Sequence, residues 1–194
     1  MKRLEFLFDL MSPYSYLAAT RLPGLAQRTG ATVTWVPVYL PGVMRAVGNR
    51  GPTEVAPKGV YTFKDINDWA SHYGLPAIWL PDEFPFQAAA ANRLCIAAGE
   101  KGPALALVLF RKIWAERRDA SDQAMQREAL TEVGLDAAAL LERGQSEEVR
   151  AQLKANTDEA VARGAYGVPT FYVERDLMFV GNDRLMFVEK ALAP

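Results

Sequence analysis

The chain has very few sulfur and imidazole side chains: one cysteine and one histidine in 194 residues. A single cysteine forms no disulfide within the chain and no Cys-x-x-Cys redox pair, and the two residues cannot supply a zinc site of four nitrogen and sulfur ligands. Apolar runs long enough to span a bilayer are also missing. Because Met1-Lys2-Arg3 leads into a strand-like alternation and not into a signal peptide, we expect a soluble cytoplasmic protein that does not bind membranes.

Neither sign of charge dominates the sequence. The 22 Lys and Arg residues are balanced by 23 Asp and Glu residues, so the formal net charge is −1. Proteins that bind nucleic acids normally show a basic excess or a basic stripe, and we therefore expect no nucleic-acid partner. Apolar residues make up 50% of the chain, and its length suits one domain with a substantial core and room for an insertion.

The first forty residues predict a strand, a helix and a second strand. Residues 3–9 are rich in large apolar side chains, and residues 32–38 alternate with β-branched ones. Between them, Ser12-Pro13 favours a helix start, because serine caps a helix and proline suits its first position. We expect Pro23 to kink or split this helix and Gly30 to end it.

The rest of the chain changes character twice. Residues 39–60 are rich in proline and glycine and indicate an irregular loop, which is longer than loops usually are without a function. An alanine-rich block follows, with helices expected near 61–72, 87–99, 103–117, 121–132, 136–143 and 146–163. Two strands are expected at 170–173 and 177–180, followed by an amphipathic helix at 185–192.

This order predicts an α/β fold in which one four-stranded sheet carries a helical insertion. The pattern is typical of a thioredoxin-like domain, with residues 1–60 and 157–194 forming that domain and residues 61–156 forming an inserted all-helical domain. Other α/β folds also begin with a βαβ unit, so periodicity alone leaves them open.

The first helix N-terminus is the main candidate site. It presents unpaired N–H groups and a partial positive charge, which attract an anion such as a thiolate. Ser12-Pro13-Tyr14-Ser15 places hydroxyls at the spacing of a thioredoxin redox pair, and serine forms no disulfide. Ser12 can instead donate a hydrogen bond to a ligand's thiolate. Lowering a thiol pKa by about two units takes about 2.7 kcal/mol, which such a bond and the helix dipole can supply. From Ser12-Pro13 alone, an ordinary N-cap is the simpler explanation.

Gly167-Val168-Pro169-Thr170 is the second candidate, because a proline directly before a strand suits a turn. If the Val168–Pro169 bond is cis, the backbone groups of Val168 are free to pair with an extended peptide ligand. The alternative is an ordinary loop proline.

Several segments together resemble the 2-hydroxychromene-2-carboxylate isomerase and kappa-class glutathione transferase family. They span the chain in the family's order and spacing, and they are specific only in combination. The segments are Phe8-Asp9-Leu10-Met11-Ser12-Pro13-Tyr14-Ser15-Tyr16-Leu17, Gly48-Asn49, Pro57-Lys58-Gly59-Val60-Tyr61 with Asp65, Phe84-Pro85, Arg93, Gly167-Val168-Pro169-Thr170-Phe171 and Gly181-Asn182-Asp183-Arg184-Leu185.

The resemblance implies a DsbA-like thioredoxin fold with a helical insertion, a homodimer, and glutathione as the cofactor. By this analogy Ser12 is the catalytic residue that holds the glutathione thiolate. Val168 and Pro169 bind the cysteinyl backbone, and Asn49 and Lys58 bind the glycyl end.

The same resemblance places the γ-glutamyl end at the start of the last helix. Asn182 and the helix N–H groups suit the carboxylate, Asp183 suits the ammonium group, and Arg184 is a further contact. Tyr61 and Arg93 are the candidate contacts to an aromatic substrate, and Lys58 or Arg93 would hold its carboxylate.

The reaction implied by the resemblance is a glutathione-dependent isomerisation of 2-hydroxychromene-2-carboxylate, or of a related aromatic hemiketal acid, to trans-o-hydroxybenzylidenepyruvate. Two alternatives stay open: a kappa-class-like glutathione transferase, and a glutathione- or peptide-binding module without turnover. Gln87, Ala90 and Asp68 depart from the residues common in the isomerases, which bears on the aromatic substrate and not on glutathione.

Other conspicuous residues have simpler explanations. A hydrolase triad would have to use His72, and no G-x-S-x-G motif surrounds Ser12, so a hydrolase is not expected. Cys95 occupies an apolar position of a helix and is expected to be a buried, inert thiol. Some of the aromatic residues could line a substrate pocket, but most are expected in the core; they are Trp69, Trp79, Trp114, Phe84 and Phe86.

Overall fold

The structure is a computed structural model that describes residues 2–81 and 84–193, with only the backbone at Thr53. Four of its strands form one mixed sheet in the order β2-β1-β3-β4: β1 (Arg3–Phe8), β2 (Thr32–Pro37), β3 (Thr170–Val173) and β4 (Leu177–Val180). β1 runs parallel to β2 and antiparallel to β3, which in turn is antiparallel to β4. The predicted four-stranded sheet, with two strands from each end of the chain, is confirmed.

The helices occupy the connection before β2, the long middle of the chain and its end. They are α1 (Pro13–Thr29), α2 (Leu40–Val47), α3 (Ala56–His72), α4 (Ala89–Ala97), α5 (Gly102–Trp114), α6 (Gln123–Glu132), α7 (Ala137–Arg143), α8 (Glu147–Ala162) and α9 (Leu185–Leu192). Short 3-10 turns lie at Pro52–Glu54, Gly99–Lys101 and Asn182–Arg184. No helix in the two described ranges is long and apolar enough to cross a membrane.

Alternation along the strands divides the core into two layers. Phe6 of β1 and Phe171 of β3 are buried on the side that also holds the apolar face of α1, and their rings stack with centroids 5.4 Å apart. Leu7 and Tyr172, one residue further along each strand, face the opposite side and pack with Val43 of α2. The sheet is therefore covered on both faces, as a strand–helix–strand unit requires.

The prediction of an irregular loop over residues 39–60 is wrong. This segment contains α2, a 3-10 turn and the first turn of α3. Pro41 and Pro57 lie in the first turns of their helices, where a missing N–H breaks no hydrogen bond. Gly48 ends α2 with φ 71°, a left-handed conformation that favours glycine. Residues that look like helix breakers in the sequence thus lie at the ends of helices.

The first helix is not split at Pro23, because α1 continues through it to Thr29, while a kink at Pro23 stays a prediction. Leu22 and Leu25 on either side of the proline are both buried, so the core contacts outweigh one missing backbone hydrogen bond. Gly30 ends the helix with φ 66°, as predicted. The proposed domain limits at 60/61 and 156/157 fall inside α3 and α8, and the division into two domains stays a prediction.

Candidate active site

Ser12 caps α1 at the end of the sheet where β1 finishes. Its Oγ accepts a hydrogen bond from the Ser15 N–H at 3.1 Å, which confirms the predicted N-cap. Pro13 has no N–H, so Tyr14 carries the free amide donor of the first turn. The Ser12 side chain is 5% exposed. Its hydroxyl therefore lies at the positive end of a 17-residue helix with little competition from water.

The loop before β3 meets this hydroxyl. Ser12 Oγ donates a hydrogen bond to the Val168 carbonyl oxygen at 3.3 Å, and the Val168–Pro169 peptide bond is cis, as the peptide-binding hypothesis requires. In residues 2–81 and 84–193 no acceptor lies within hydrogen-bond distance of the Val168 N–H. The Ser12 hydroxyl and the backbone groups of Val168, 156 residues apart in the chain, thus lie side by side.

A buried carboxylate supports the turn that precedes Ser12. Asp9 is 1% exposed, and its oxygens accept hydrogen bonds from Met11 N at 2.9 Å, Leu40 N at 2.8 Å and Asn92 Nδ2 at 2.8 Å. The Asp9 carbonyl accepts a further bond from Ser12 N at 2.9 Å. Burial raises the pKa of Asp9, and the three hydrogen bonds to its carboxylate act against that rise.

Asn92 completes this buried network from α4. Its Oδ1 accepts a hydrogen bond from Leu10 N at 3.0 Å, and its Nδ2 also lies 3.3 Å from the Val38 carbonyl oxygen. The amide is fully buried and both of its ends are satisfied, Oδ1 by the Leu10 N–H and Nδ2 by the Asp9 carboxylate and the Val38 carbonyl oxygen. The network joins the end of β1, the start of α2 and the helical insertion directly behind Ser12.

Tyr14 lies one residue beyond the first position of α1 and bridges to α3. Its hydroxyl donates to Asp65 Oδ2 at 2.7 Å. The pKa of Tyr14 is raised strongly, first by burial, then by the hydrogen bond to Asp65 and by the negative charges of Asp65 and Asp183. Tyr14 is therefore a neutral donor at any physiological pH.

Asn49 ties two loops at the rim of the site. Its Nδ2 donates to the Tyr166 carbonyl oxygen at 2.8 Å, and its Oδ1 accepts from Gly51 N at 3.0 Å. The side chain thus holds the loop after α2 against the loop that carries Val168. The sequence did not indicate this positioning contact, and the predicted contact of Asn49 with a ligand stays a prediction.

Residues Asn182–Arg184 form the 3-10 turn that leads into α9, as predicted for the start of the last helix. Asn182 is 2% exposed, and within the described part of the chain its Nδ2 has no hydrogen-bond partner. The Asp183 carboxylate pairs with Arg184 Nη2 at 2.7 Å. Gly181 has φ 107°, and a Cβ there would lie 2.4 Å from Asp183 Oδ1, so glycine is required for this arrangement.

Lys58 lies on the first turn of α3, not in a loop as predicted, and Tyr61 lies on the same helix, as predicted. Both are exposed, Tyr61 by 64%. They belong to the helix whose Asp65 binds Tyr14, so α3 connects them to the start of α1.

Arg93 lies elsewhere in the molecule. Its Nε donates to the Gly144 carbonyl oxygen at 2.8 Å, at the end of α7, and its side chain lines a cavity that contains neither Ser12 nor Val168. The structure therefore does not bring Arg93 to the Ser12 site, and its predicted contact with the same substrate has no support in the geometry.

The residues with simpler explanations are placed as follows. His72 is exposed at the end of α3, and in the described residues it forms no hydrogen bond with the Ser12 hydroxyl. Cys95 is 5% exposed, and burial strongly raises the pKa of its thiol, which agrees with an inert side chain. Trp114 is a core residue whose indole donates to the Leu10 carbonyl oxygen at 2.9 Å, whereas Trp79 is half exposed.

The sequence did not indicate the roles of three residues of the site, Asp9, Asp65 and Asn92. Asp9 and Asp65 stand in the segments that carry the resemblance, but no role follows from their spacing. An acidic residue directly after a buried strand was the available signal for Asp9. Asn92 gave no signal, because a single asparagine in an alanine-rich helix looks like a surface residue.

The fold and the site define a thioredoxin-fold protein that carries serine at the position of the redox cysteine. The family model described as a DSBA-like thioredoxin domain matches residues 3–193. The chain therefore belongs to the DSBA-like thioredoxin domain family, which confirms the predicted fold class.

The similar proteins include isomerases and kappa-class glutathione transferases. The chain is 36% identical to 2-hydroxychromene-2-carboxylate isomerase of Sphingobium xenophagum over 98% of both chains. It is 25% identical to glutathione S-transferase kappa 1 of Caenorhabditis elegans, covering 99% of this chain and 91% of the relative. A solved structure of a 2-hydroxychromene-2-carboxylate isomerase superimposes with a TM-score of 0.89 at 30% identity, covering 98% and 94% of the two chains. These similarities confirm the resemblance and support an enzyme of the isomerase type.

Proposed function

We propose that the chain is a glutathione-dependent isomerase that converts 2-hydroxychromene-2-carboxylate, or a related aromatic hemiketal acid, to trans-o-hydroxybenzylidenepyruvate. The observation that carries the proposal is the pairing of Ser12 Oγ with the Val168 carbonyl at the N-terminus of α1, beside Pro169. The names of the isomerase relatives supply the reaction.

The residues around Ser12 fit a cysteinyl ligand. The Val168 N–H and carbonyl offer the paired donor and acceptor that an extended peptide needs. A bound thiolate and a cysteinyl N–H would replace one 3.3 Å hydrogen bond with two: Ser12 Oγ–H would turn to the sulfur, and the Val168 carbonyl would accept the N–H. The Ser15 N–H still donates to Ser12 Oγ, which strengthens the hydroxyl as a donor.

Charged groups on two sides suit the two ends of glutathione. Lys58 on α3 is exposed and available to the glycyl carboxylate, and Asn49 holds the adjoining loop. On the other side, Asp183 suits the γ-glutamyl ammonium group, while Asn182 and Arg184 suit its carboxylate. These roles rest on the family resemblance and on the placement of the side chains.

Bound glutathione would supply a nucleophilic thiolate: with the hemiketal C–O bond opened and its hydroxyl proton passed to the phenolic oxygen, reversible addition to the conjugated double bond would allow rotation before the thiolate is expelled. The chain contributes the positive end of α1, the Ser12 hydroxyl and the Tyr14 N–H, all of which stabilise negative charge on sulfur. Tyr14 remains protonated, and its one hydroxyl proton is engaged by Asp65, so the side chain holds α3 against the start of α1. Tyr61 and Lys58 on α3 are our candidates for holding the aromatic acid.

The proposal is tested by following isomerisation with and without glutathione in wild type, Ser12→Ala and Ser15→Ala. Ser15 Oγ is buried and has no partner in the described residues, so Ser15→Ala removes a hydroxyl without removing a hydrogen bond. We expect turnover to require glutathione, to fall at least about ten-fold in Ser12→Ala, and to persist in Ser15→Ala. Equal turnover without glutathione would contradict the proposal.

A kappa-class-like glutathione transferase is the second candidate, favoured by the kappa-class relatives. The two activities differ in the fate of the sulfur: an isomerase returns free glutathione, and a transferase releases an adduct. Quantifying free thiol after many turnovers separates them. Tight glutathione binding with no turnover of either kind would instead indicate a binding module.

A further inference from the structure

The cavity that Arg93 lines has a volume of about 550 Å³ and lies between α2, α4 and α8. This volume is within the range of about 300–1,000 Å³ that is typical of small-molecule sites. Ser12, Val168, Asn49 and the Asn182–Arg184 turn are not among its lining residues. The cavity is therefore separate from the candidate active site.

Four cationic side chains line this cavity: Arg45, Arg93, Arg150 and Lys154. Its lining contains one acidic side chain, Asp158. Asp158 already pairs with Lys154, one helical turn away on α8. Among residues 2–81 and 84–193, the three arginines form no salt bridge. Three guanidinium charges at one cavity therefore lack a compensating carboxylate.

Two of these guanidinium groups are held in place by neighbouring carbonyls. Arg93 Nε donates to Gly144 O at 2.8 Å, and Arg150 Nε donates to Gln145 O at 3.0 Å. Each bond occupies the Nε and leaves Nη donors for another partner. The pKa of Arg93 is lowered, first by burial and then by the positive charge of Arg150. Two like charges kept close together favour the binding of an anion.

The remaining wall of the cavity is largely apolar. Leu153 and Val161 of α8 lie beside Ala46 of α2 and the ring of Tyr39. A bare inorganic anion would leave this surface uncovered. An anion with an apolar body would cover it and gain from its burial.

We propose that the cavity between α2, α4 and α8 is a second ligand site, which binds a small aromatic carboxylate with Arg93 and Arg150 on its carboxylate and Leu153, Val161 and Tyr39 around its ring. The planar guanidinium fork suits a carboxylate, with which it forms paired hydrogen bonds. The site is independent of the glutathione site proposed above.

The test uses 2-naphthoate as the probe and isothermal titration calorimetry of the full chain. Wild type binds the probe, and Arg93→Gln and Arg150→Gln each weaken binding at least about ten-fold, as expected for one charge-assisted hydrogen bond. Arg127→Gln is the matched control, since this exposed arginine lies on α6 away from the cavity, and it leaves binding unchanged. The uncharged 2-naphthylmethanol binds at least about ten-fold more weakly than 2-naphthoate to wild type.

Ser12→Ala separates the two sites, because it leaves 2-naphthoate binding unchanged if the probe occupies the cavity. Arg45→Gln provides a further cavity variant should Arg93→Gln unfold, which a thermal melt detects. Three results would overturn the proposal: no binding to wild type, equal binding to wild type and all arginine variants, or loss of binding in Ser12→Ala.

Discussion

Ser12 Oγ and the Val168 carbonyl oxygen lie 3.3 Å apart, although the two residues are 156 positions apart in the chain. The first is fixed by the start of α1 and the second by the cis peptide bond before β3. Helix and loop meet because β1 and β3 are neighbouring antiparallel strands, so the end of one lies beside the start of the other. The candidate site is thus a direct product of the sheet topology.

The helix N-terminus at Ser12 can be probed without glutathione. Ser12→Cys places a thiol at the same position, and the helix dipole with the first-turn N–H is expected to lower its pKa by about one unit or more below the ordinary 8.5 or so. The pH dependence of iodoacetamide alkylation measures this pKa. Ala77→Cys, in an exposed loop, provides the reference thiol. The same pKa in both variants would show that the N-terminus does not stabilise a thiolate.

The native thiol of Cys95 should not interfere with that experiment. Burial keeps it protonated and out of reach of reagents, so wild type is expected not to react with a thiol-specific dye until it is unfolded, when one thiol appears. Ala77→Cys labels at once in the native state and confirms that the reagent is active. Rapid labelling of native wild type would place Cys95 at the surface.

The carboxylate of Asp9 is expected to be essential for stability. In Asp9→Asn one oxygen becomes an NH₂ group that faces backbone donors, so the variant loses about 1–3 kcal/mol of unfolding free energy. Urea unfolding measures the loss. Asp136→Asn, an exposed N-cap at which asparagine serves equally well, is expected to stay near wild type. A stability change no larger than that of Asp136→Asn would contradict the role of this network.

Wild type and Asp9→Asn also differ in how their stability depends on pH. Its pKa is raised in the folded state above the ordinary 3.8, so the native protein binds more protons than the unfolded chain between those two values. The extra stability that protonation of Asp9 gives the folded state is therefore lost as pH rises from 3.8 through the raised pKa, while the hydrogen bonds that the carboxylate accepts remain. The stability difference between wild type and Asp9→Asn should be larger below this window than above it. If the stability difference between wild type and Asp9→Asn grew with pH, the pKa of Asp9 would be lowered in the folded state, not raised.

Asn49 is expected to act through the backbone loops that it connects. Asn49→Ala removes the hydrogen bonds to the Tyr166 carbonyl and to Gly51 N, so amide exchange around Val168 should become faster. Arg50→Ala, at the neighbouring exposed position, is the control and should leave that exchange unchanged. Unchanged exchange in Asn49→Ala would mean that the tie does not order the loop.

Local features of this fold were predictable and long-range ones were not. Ser12 caps α1 by accepting a hydrogen bond from the N–H of Ser15, three residues away. Both partners lie in one short sequence motif, so the cap could be predicted from the sequence. The Asp9–Asn92 bond joins residues 83 positions apart, and it depends on how α4 packs behind the sheet. Pro41 shows a third case: its residue type fits a loop or a helix start, and only tertiary packing of Val43 decides between them.

The most direct test of the central claim is the thiol pKa of glutathione bound to wild type, Ser12→Ala and Ser15→Ala, measured by ultraviolet titration of the thiolate. We expect a pKa about two units below that of the free thiol in wild type and Ser15→Ala, and a return toward the free value in Ser12→Ala. No binding of glutathione to wild type, or a bound thiol whose pKa equals that of free glutathione, would contradict the assignment of Ser12 as the group that stabilises the thiolate.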